Sequence, residues 1–276
     1  MPLLQQHAGS EPYADQVLAG DGVVVQRLRL QLARIAPHFR IALVLGERGV
    51  GKEAIGRELH RLSPIADHPY CVQNLKEFAH GWEAPHERST VFLRGLDAVE
   101  QQTQEKLWNR LLRLARETRV IVASEQDPKG MLATGRLRAD LYAKVGILEI
   151  RVAPLRERPE DLHQLALAML QRQGSSASLA DTALAALARY RWPDNLHELW
   201  NIVGQVAHTT GEITADHLPS LDRLPANQVT VARLEEVMQR HVLDVLQLCA
   251  GNKLKTAELL GISRSTLYRM LDSSPL

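Results

Sequence analysis

The sequence has no apolar run approaching the ~20 residues of a membrane-spanning helix, so no span is expected and a membrane is not counted among its partners. It has only two cysteines, Cys71 and Cys249, whose separation fits neither a metal clip nor a redox pair. They are expected to be buried thiols in a reducing cytoplasm. The eleven histidines are scattered, and His80 and His86, which flank a Trp-containing loop, lack a third ligand, so no metal site is expected. A net charge of +1 gives no global attraction to nucleic acid, and any DNA affinity has to come from local patches. Met1 to Gly22 lacks the basic start and apolar centre of a leader and reads as a short polar tail. What is present is a 276-residue chain, 45% apolar and 24% charged, in the range of a globular protein with two or three compact units.

Near the C-terminus the chain reads as a helix-turn-helix. Ala257, Leu260 and Ile262 share one helical seam, and Gly261 sits where a turn between two helices needs a left-handed residue. Ser263 is placed to cap the second helix. That helix presents Arg264, Ser265, Thr266, Tyr268 and Arg269 outward, with Leu267 and Leu271 inward at i, i+4. Hydroxyls, guanidinium groups and one phenol on an outer face suit major-groove reading. Lys253 and Lys255, before the turn, suit phosphate contacts. From Gly251 to Met270 the four bases Lys253, Lys255, Arg264 and Arg269 outweigh one acid, Glu258, leaving the unit at +3. An ordinary amphipathic helix pair is the plain alternative. The segment resembles the Fis-type DNA-binding domain, whose pattern is matched by Gly251-Asn252, Ala257 and Leu259 to Arg269. That family pairs two chains through a longer preceding helix, which the apolar stripe of Arg233 to Cys249 fits, so a dimer on double-stranded DNA is expected.

Ile41 to Leu45 is a continuous apolar run of the kind a central parallel strand shows. It leads into Gly46-Glu47-Arg48-Gly49-Val50-Gly51-Lys52-Glu53, a G-x-x-x-x-G-K phosphate loop. Its glycines let backbone amides face an anion, Lys52 can reach terminal phosphates, and a helix from Glu53 adds its positive end. ATP or ADP is the expected cofactor. Glu53 stands where such loops usually place the Ser or Thr that binds magnesium.

The stretch is similar to the AAA+ domain of the sigma-54-dependent transcriptional activators, whose loop reads GESGTGKE. Leu137 to Tyr142, Pro154 to Leu162 and Trp192 to Leu199 follow three further motifs of that family. With the Fis-type end, the resemblance spans roughly residues 15 to 273. It implies an α/β fold: a P-loop parallel sheet, a helical lid and an all-α helix-turn-helix domain. The departures from the family are specific. Its acidic pair at a strand end, where Asp holds magnesium and Glu positions water, is Arg94 and Gly95 here. Asp97, three residues on, is expected to lie past the strand and not to substitute. Between Gln73 and Ser89 there is no GAFTGA, the family's contact loop for the sigma factor. The lid's sensor Arg is His197, and the Asn after the strand Arg119 to Ala123 is replaced within Ser124-Glu125. Of the two arginines that reach into a neighbour's site, Arg138 is kept and the second is Lys144, which keeps the charge and loses the bidentate fork.

From these losses we expect a regulator that binds DNA, can hold ATP or ADP without turnover and without a metal, and is not an enzyme. Arg94 reads in two ways: as a guanidinium that pairs with phosphates in place of a metal, or as a solvent-facing residue in a site that binds nothing. Two other functions stay open: a working ATPase activator, and a modulator that joins and blocks rings of another activator. RNA polymerase or such an activator is then a partner. The expected organisation is a tail over 1–22, a degenerate α/β subdomain over 23–153, a lid over 154–220, a linker over 221–229 and the DNA-binding domain over 230–276. A helix is expected over 24–35, strands over 41–45, 70–73, 90–94, 120–123 and 146–150, and a helix over 100–116.

Overall fold

In the computed structural model the described residues are 12–80, 88–219, 221, 242, 252–263 and 267. The chain divides into two compact units, Met1–Ala226 and Asn227–Leu276.

The first unit is built on a five-stranded sheet. Its strands are β1 (Ile41–Leu45), β2 (Tyr70–Asn74), β3 (Thr90–Arg94), β4 (Arg119–Ser124) and β5 (Glu149–Arg151). They run in the order β2-β3-β4-β1-β5, and every neighbouring pair is parallel. A parallel sheet must be covered on both faces, and the strand residues sort accordingly. Ala42, Val44, Phe92, Ile121, Ala123 and Ile150 point into one core. Leu43, Leu45, Val91, Leu93, Val120 and Val122 point into the other. α1 (Val23–Ile35) and α2 (Lys52–Arg61) supply the first core with Leu28, Leu32, Ile55 and Leu59. α3 (Gln101–Leu112), α4 (Pro128–Ala133) and α5 (Ala139–Val145) supply the second with Leu107, Leu111, Met131 and Leu141. Each such fully buried side chain contributes about 1.5–3 kcal/mol of transfer free energy. Gly56, inside α2, lets that helix lie close on the sheet: a Cβ there would come within 2.5 Å of the Phe92 ring.

The helical lid follows. α6 (Leu162–Arg172), α7 (Asp181–Arg189) and α8 (Asn195–Val206) pack around Leu165, Met169, Leu187, Leu199 and Val203. Trp192 is fully buried, donates its indole N–H to the Leu187 carbonyl at 3.0 Å and meets Tyr190 edge-on at 5.1 Å. A two-stranded parallel ladder, β6 (Ser178–Leu179) with β7 (Glu212–Ile213), joins the lid's ends. Two-residue strands carry too little pattern to be read from sequence.

Several expected boundaries shift. The strand expected over 146–150 is only Glu149–Arg151, because α5 runs to Val145 and Gly146 is its C-cap. The helix expected over 100–116 stops at Leu112, where Arg113 leaves helical geometry. Cys71, expected to be buried, lies on edge strand β2 and is half-buried, with partial burial still pushing its thiol upward. Cys249 lies outside the described residues. The stretch read as lacking the sigma-contact loop is described only in part: β2 passes into a 3-10 turn over Leu75–His80.

In the second unit, α9 (Lys253–Leu260) is the first helix of the expected helix-turn-helix. Asn252 holds its start by accepting the Lys255 N–H on its side chain at 3.2 Å, a side-chain cap on an otherwise orphaned amide. Gly261 takes φ +63, the left-handed geometry the turn requires. The Ile262 N–H returns to the Ala257 carbonyl at 3.1 Å, and the Leu267 N–H reaches the Ser263 carbonyl at 3.0 Å. Ala257, Leu267 and Val242 form this unit's own small core, with Leu260 and Ile262 against it.

Candidate nucleotide site and DNA-binding unit

The phosphate loop joins β1 to α2. Gly49 and Gly51 take φ +73 and +88, conformations open to glycine and strained for other residues. Lys52 is folded back over the loop, donating to the Gly46 and Glu47 carbonyls at 2.9 and 2.8 Å. Its ammonium also lies 3.6 Å from the Glu125 carboxylate. The cavity beside it has a volume of about 360 Å³ and is lined by Lys52, Glu53, Arg94, Asp97 and Glu125 among others.

Glu53 is 5% exposed and carries two guanidinium partners. Arg57 donates to Oε1 at 2.8 Å, one helical turn on, and Arg94 donates to Oε2 from the end of β3. Arg94 lines the cavity, ion-paired to Glu53 and still exposed to solvent. Gly95 follows at φ +83 and turns the chain so that Asp97 falls back toward β4. Asp97 Oδ1 accepts the Ser124 hydroxyl at 3.2 Å and the Glu125 N–H at 2.9 Å. Asp97 does lie past the strand as expected, yet it lines the cavity. Sequence reasoning passed over it and Glu125 as cavity residues. The only signal was Gly95, a residue able to reverse the strand's exit.

The lid is seated on the loop through a second set of contacts that the sequence did not announce. Asn195, fully buried at φ +49, accepts the Leu155 N–H at 2.8 Å and donates to the Arg48 carbonyl at 2.8 Å and to Glu47 at 3.3 Å. The Leu196 N–H reaches the Gly49 carbonyl at 3.0 Å. A Cβ on Gly49 would lie 2.0 Å from the Asp194 carbonyl oxygen. Arg156 forks onto Glu47 at 2.7 and 2.5 Å, and this guanidinium holds the Glu47 carboxyl below its usual range. Asp194 lies 3.2 Å from Arg48 Nε and 2.9 Å from His197 Nδ1. His197, at the family's sensor position, stacks on Tyr13 with centroids 6.3 Å apart.

Arg138 and Lys144 do not join this cavity. Arg138 is the N-cap residue of α5 and forks onto Asp140 at 3.0 and 2.7 Å. Lys144 lines a separate cavity of about 490 Å³ with Phe39, Leu111 and Ile147. In the second unit, Lys253 and Lys255 are exposed on the first turn of α9, and Ser263, also exposed, accepts the Leu267 N–H on its carbonyl. Arg264, Ser265, Thr266, Tyr268 and Arg269, and the pairing helix over 233–249 apart from Val242, lie outside the described residues.

Three family models match in succession. Residues 19–155 match the sigma-54 interaction domain, 156–243 the AAA+ ATPase lid domain, and 233–272 the bacterial regulatory proteins of the Fis family. The chain belongs to the sigma-54-dependent transcriptional regulators. Among relatives, the transcriptional regulatory protein ZraR of Klebsiella oxytoca is 29% identical over 94% of this chain and 69% of its own. The C4-dicarboxylate transport transcriptional regulatory protein DctD of Pseudomonas aeruginosa is 31% identical over 92% of this chain and 63% of its own. The structure of NtrX from Brucella abortus in complex with ATP aligns at a TM-score of 0.68 and 25% identity, covering 92% of this chain and 69% of that one. The chain therefore spans roughly two thirds of the length of these relatives.

These matches correct one expectation. The sigma-54 regulators' lid is that of AAA+ ATPases, this chain carries it, and a similar chain has been crystallised with ATP and with ADP. The reading of the domain as no enzyme is overturned. The physical reason is that such a site is composite. Arg94 and Gly95 replace one acidic pair, but the phosphate loop, its lysine and the lid contacts remain.

Proposed function

We propose that this chain is a DNA-binding transcription regulator whose first unit takes up an adenine nucleotide at residues 46–53. The observation that carries the nucleotide half is the built loop: two left-handed glycines, Lys52 poised over its carbonyls, and an adjoining cavity of about 360 Å³. The amides of Gly49, Val50 and Gly51 and the start of α2 would receive the phosphates, with Lys52 moving from its carbonyls onto them. The lid contacts at Asn195 and Arg156 would carry the presence of the ligand from the loop to α8. NtrX with bound ATP supports this reading by likeness.

The second unit supports the DNA half. Its turn glycine, its Asn252 cap and its match to the Fis family agree with a groove-reading helix bearing Arg264, Ser265, Thr266, Tyr268 and Arg269. Two chains would pair through residues 233–249 and present two such helices. The family's partner, the sigma-54 polymerase, is the target such a dimer would serve.

Titration of the full chain with a fluorescent ATP analogue tests the nucleotide half. Saturable binding that disappears in Lys52→Ala is expected. Binding unchanged in Lys52→Ala would mean that the loop is not the site.

A further inference from the structure

Nucleotide sites of this fold ordinarily hold a magnesium ion between a hydroxyl after the loop lysine and a carboxylate at a strand end. The residues present do not fit that ion. The position after the loop lysine is Glu53, as in the loop GESGTGKE, and here both of its oxygens are taken by guanidinium groups. The strand-end position is Arg94, a fixed positive charge. Asp97 Oδ1 accepts the Glu125 N–H, Glu125 faces Lys52, and neither carboxylate stands at the strand-end position itself. Magnesium demands near-octahedral oxygen ligands, and a guanidinium beside it is repulsive.

The arrangement that displaces the metal is itself well anchored. Glu53 is buried at 5% exposure, so its charge is sustained only by its partners. Arg57 is fixed from behind, its guanidinium 4.9 Å from the centre of the Tyr70 ring. The Tyr70 hydroxyl in turn reaches the Glu53 carbonyl at 3.4 Å. Arg94 is aimed by this buried carboxylate, yet it is 46% exposed on the cavity side. Only its Nη2 is on Glu53, and a guanidinium has further N–H donors besides that one. Register pairs Arg94 with Asn74 on β2, and Lys76 from the turn after β2 lines the same cavity. Lys52, Arg94 and Lys76 thus surround the place where terminal phosphates would lie.

Building on the nucleotide reading above, we infer that the loop takes its nucleotide as the free polyanion, with Arg94, braced by Glu53 and Arg57, supplying the charge that magnesium supplies in other sites of this fold. Planar guanidinium groups bind phosphate through paired charge-assisted hydrogen bonds and require no metal to do so.

The test is titration of the full chain with a fluorescent ATP analogue in two buffers, one with excess magnesium and one with EDTA. We expect affinity in EDTA to equal or exceed that in magnesium. In EDTA, Arg94→Ala should lose on the order of tenfold or more, the scale of a lost hydrogen bond to a charged group, and Arg94→Lys should recover part of it. Should Arg94→Ala fail to fold, the two-buffer comparison on the unaltered chain decides alone. Binding more than ~10-fold weaker in EDTA, or an Arg94→Ala chain with unchanged affinity, would overturn the inference while leaving the nucleotide reading intact. Absence of binding in both buffers would overturn both.

Discussion

Asn195→Ala is the substitution on which the seating of the lid most depends. Asn195 joins three segments: the lid start at Leu155, the phosphate loop at Arg48 and Glu47, and its own helix α8. Removing its amide orphans the Leu155 N–H in a fully buried setting, at a cost of ~1–3 kcal/mol. Loss of the bond to the Arg48 carbonyl adds ~0.5–1.5 kcal/mol. Alanine at φ +49 adds ~1–2 kcal/mol that asparagine largely escapes. The bond to Glu47 is long at 3.3 Å and partly solvated, and is given no weight. The total is about 2.5–6.5 kcal/mol. At about 2–4 °C per kcal/mol for a unit of this size, the melting point of the first unit should fall by roughly 5–26 °C. Urea unfolding followed by circular dichroism would measure the loss, with Asn195→Gly beside it. Glycine removes the same bonds and tolerates the left-handed backbone, so it should recover ~1–2 kcal/mol relative to alanine. A loss below ~1 kcal/mol for Asn195→Ala would refute the reasoning, because no buried group could then have been left unsatisfied.

Gly49→Ala should separate loop from lid, since its Cβ would collide with the Asp194 carbonyl, and nucleotide affinity measured by titration should fall by tenfold or more. Glu47 has its carboxyl lowered in the folded state by Arg156, so its stabilisation is present above the ordinary carboxylate range and is lost as pH falls through the folded value. Urea midpoints taken between about pH 5 and pH 3 should therefore drop less steeply in Arg156→Ala than in the unaltered chain. On DNA, Arg264→Ala should cost ~1–3 kcal/mol and relax specificity at one position if it reads a base, whereas Lys255→Ala should weaken all sequences alike and reduce the salt slope by about one.

The legible parts of this molecule were those where a local rule fixes geometry. The apolar run of β1, the glycines of the loop and the whole of α2 lie within 21 consecutive residues, and the structure follows them closely. Gly261 likewise declared its left-handed turn. What escaped were arrangements made by distant segments meeting. Nothing around Asn195 announces that its side chain will bridge residues 147 and 148 positions earlier. Glu125 was seen only as a replaced residue, and its approach to Lys52 depends on β4 lying beside β1. The strand end at Arg94 was read as a loss, and its partner Glu53 was read separately as an odd residue in the loop. The structure joins the two as one ion pair. The inference that hydrolysis had gone was drawn from positions taken singly, and a composite site cannot be judged that way.

The central claim, that this chain reads DNA as a paired regulator, is tested most directly by footprinting the full chain on fragments recovered from genomic mapping of its bound sites. Fis-type pairing through residues 233–249 predicts protection of an inverted repeat, with half-sites about one helical turn, ~10 base pairs, apart. Arg269→Ala should weaken that protection. Failure of the full chain to protect any DNA at low salt, where phosphate contacts alone favour binding, would contradict the account.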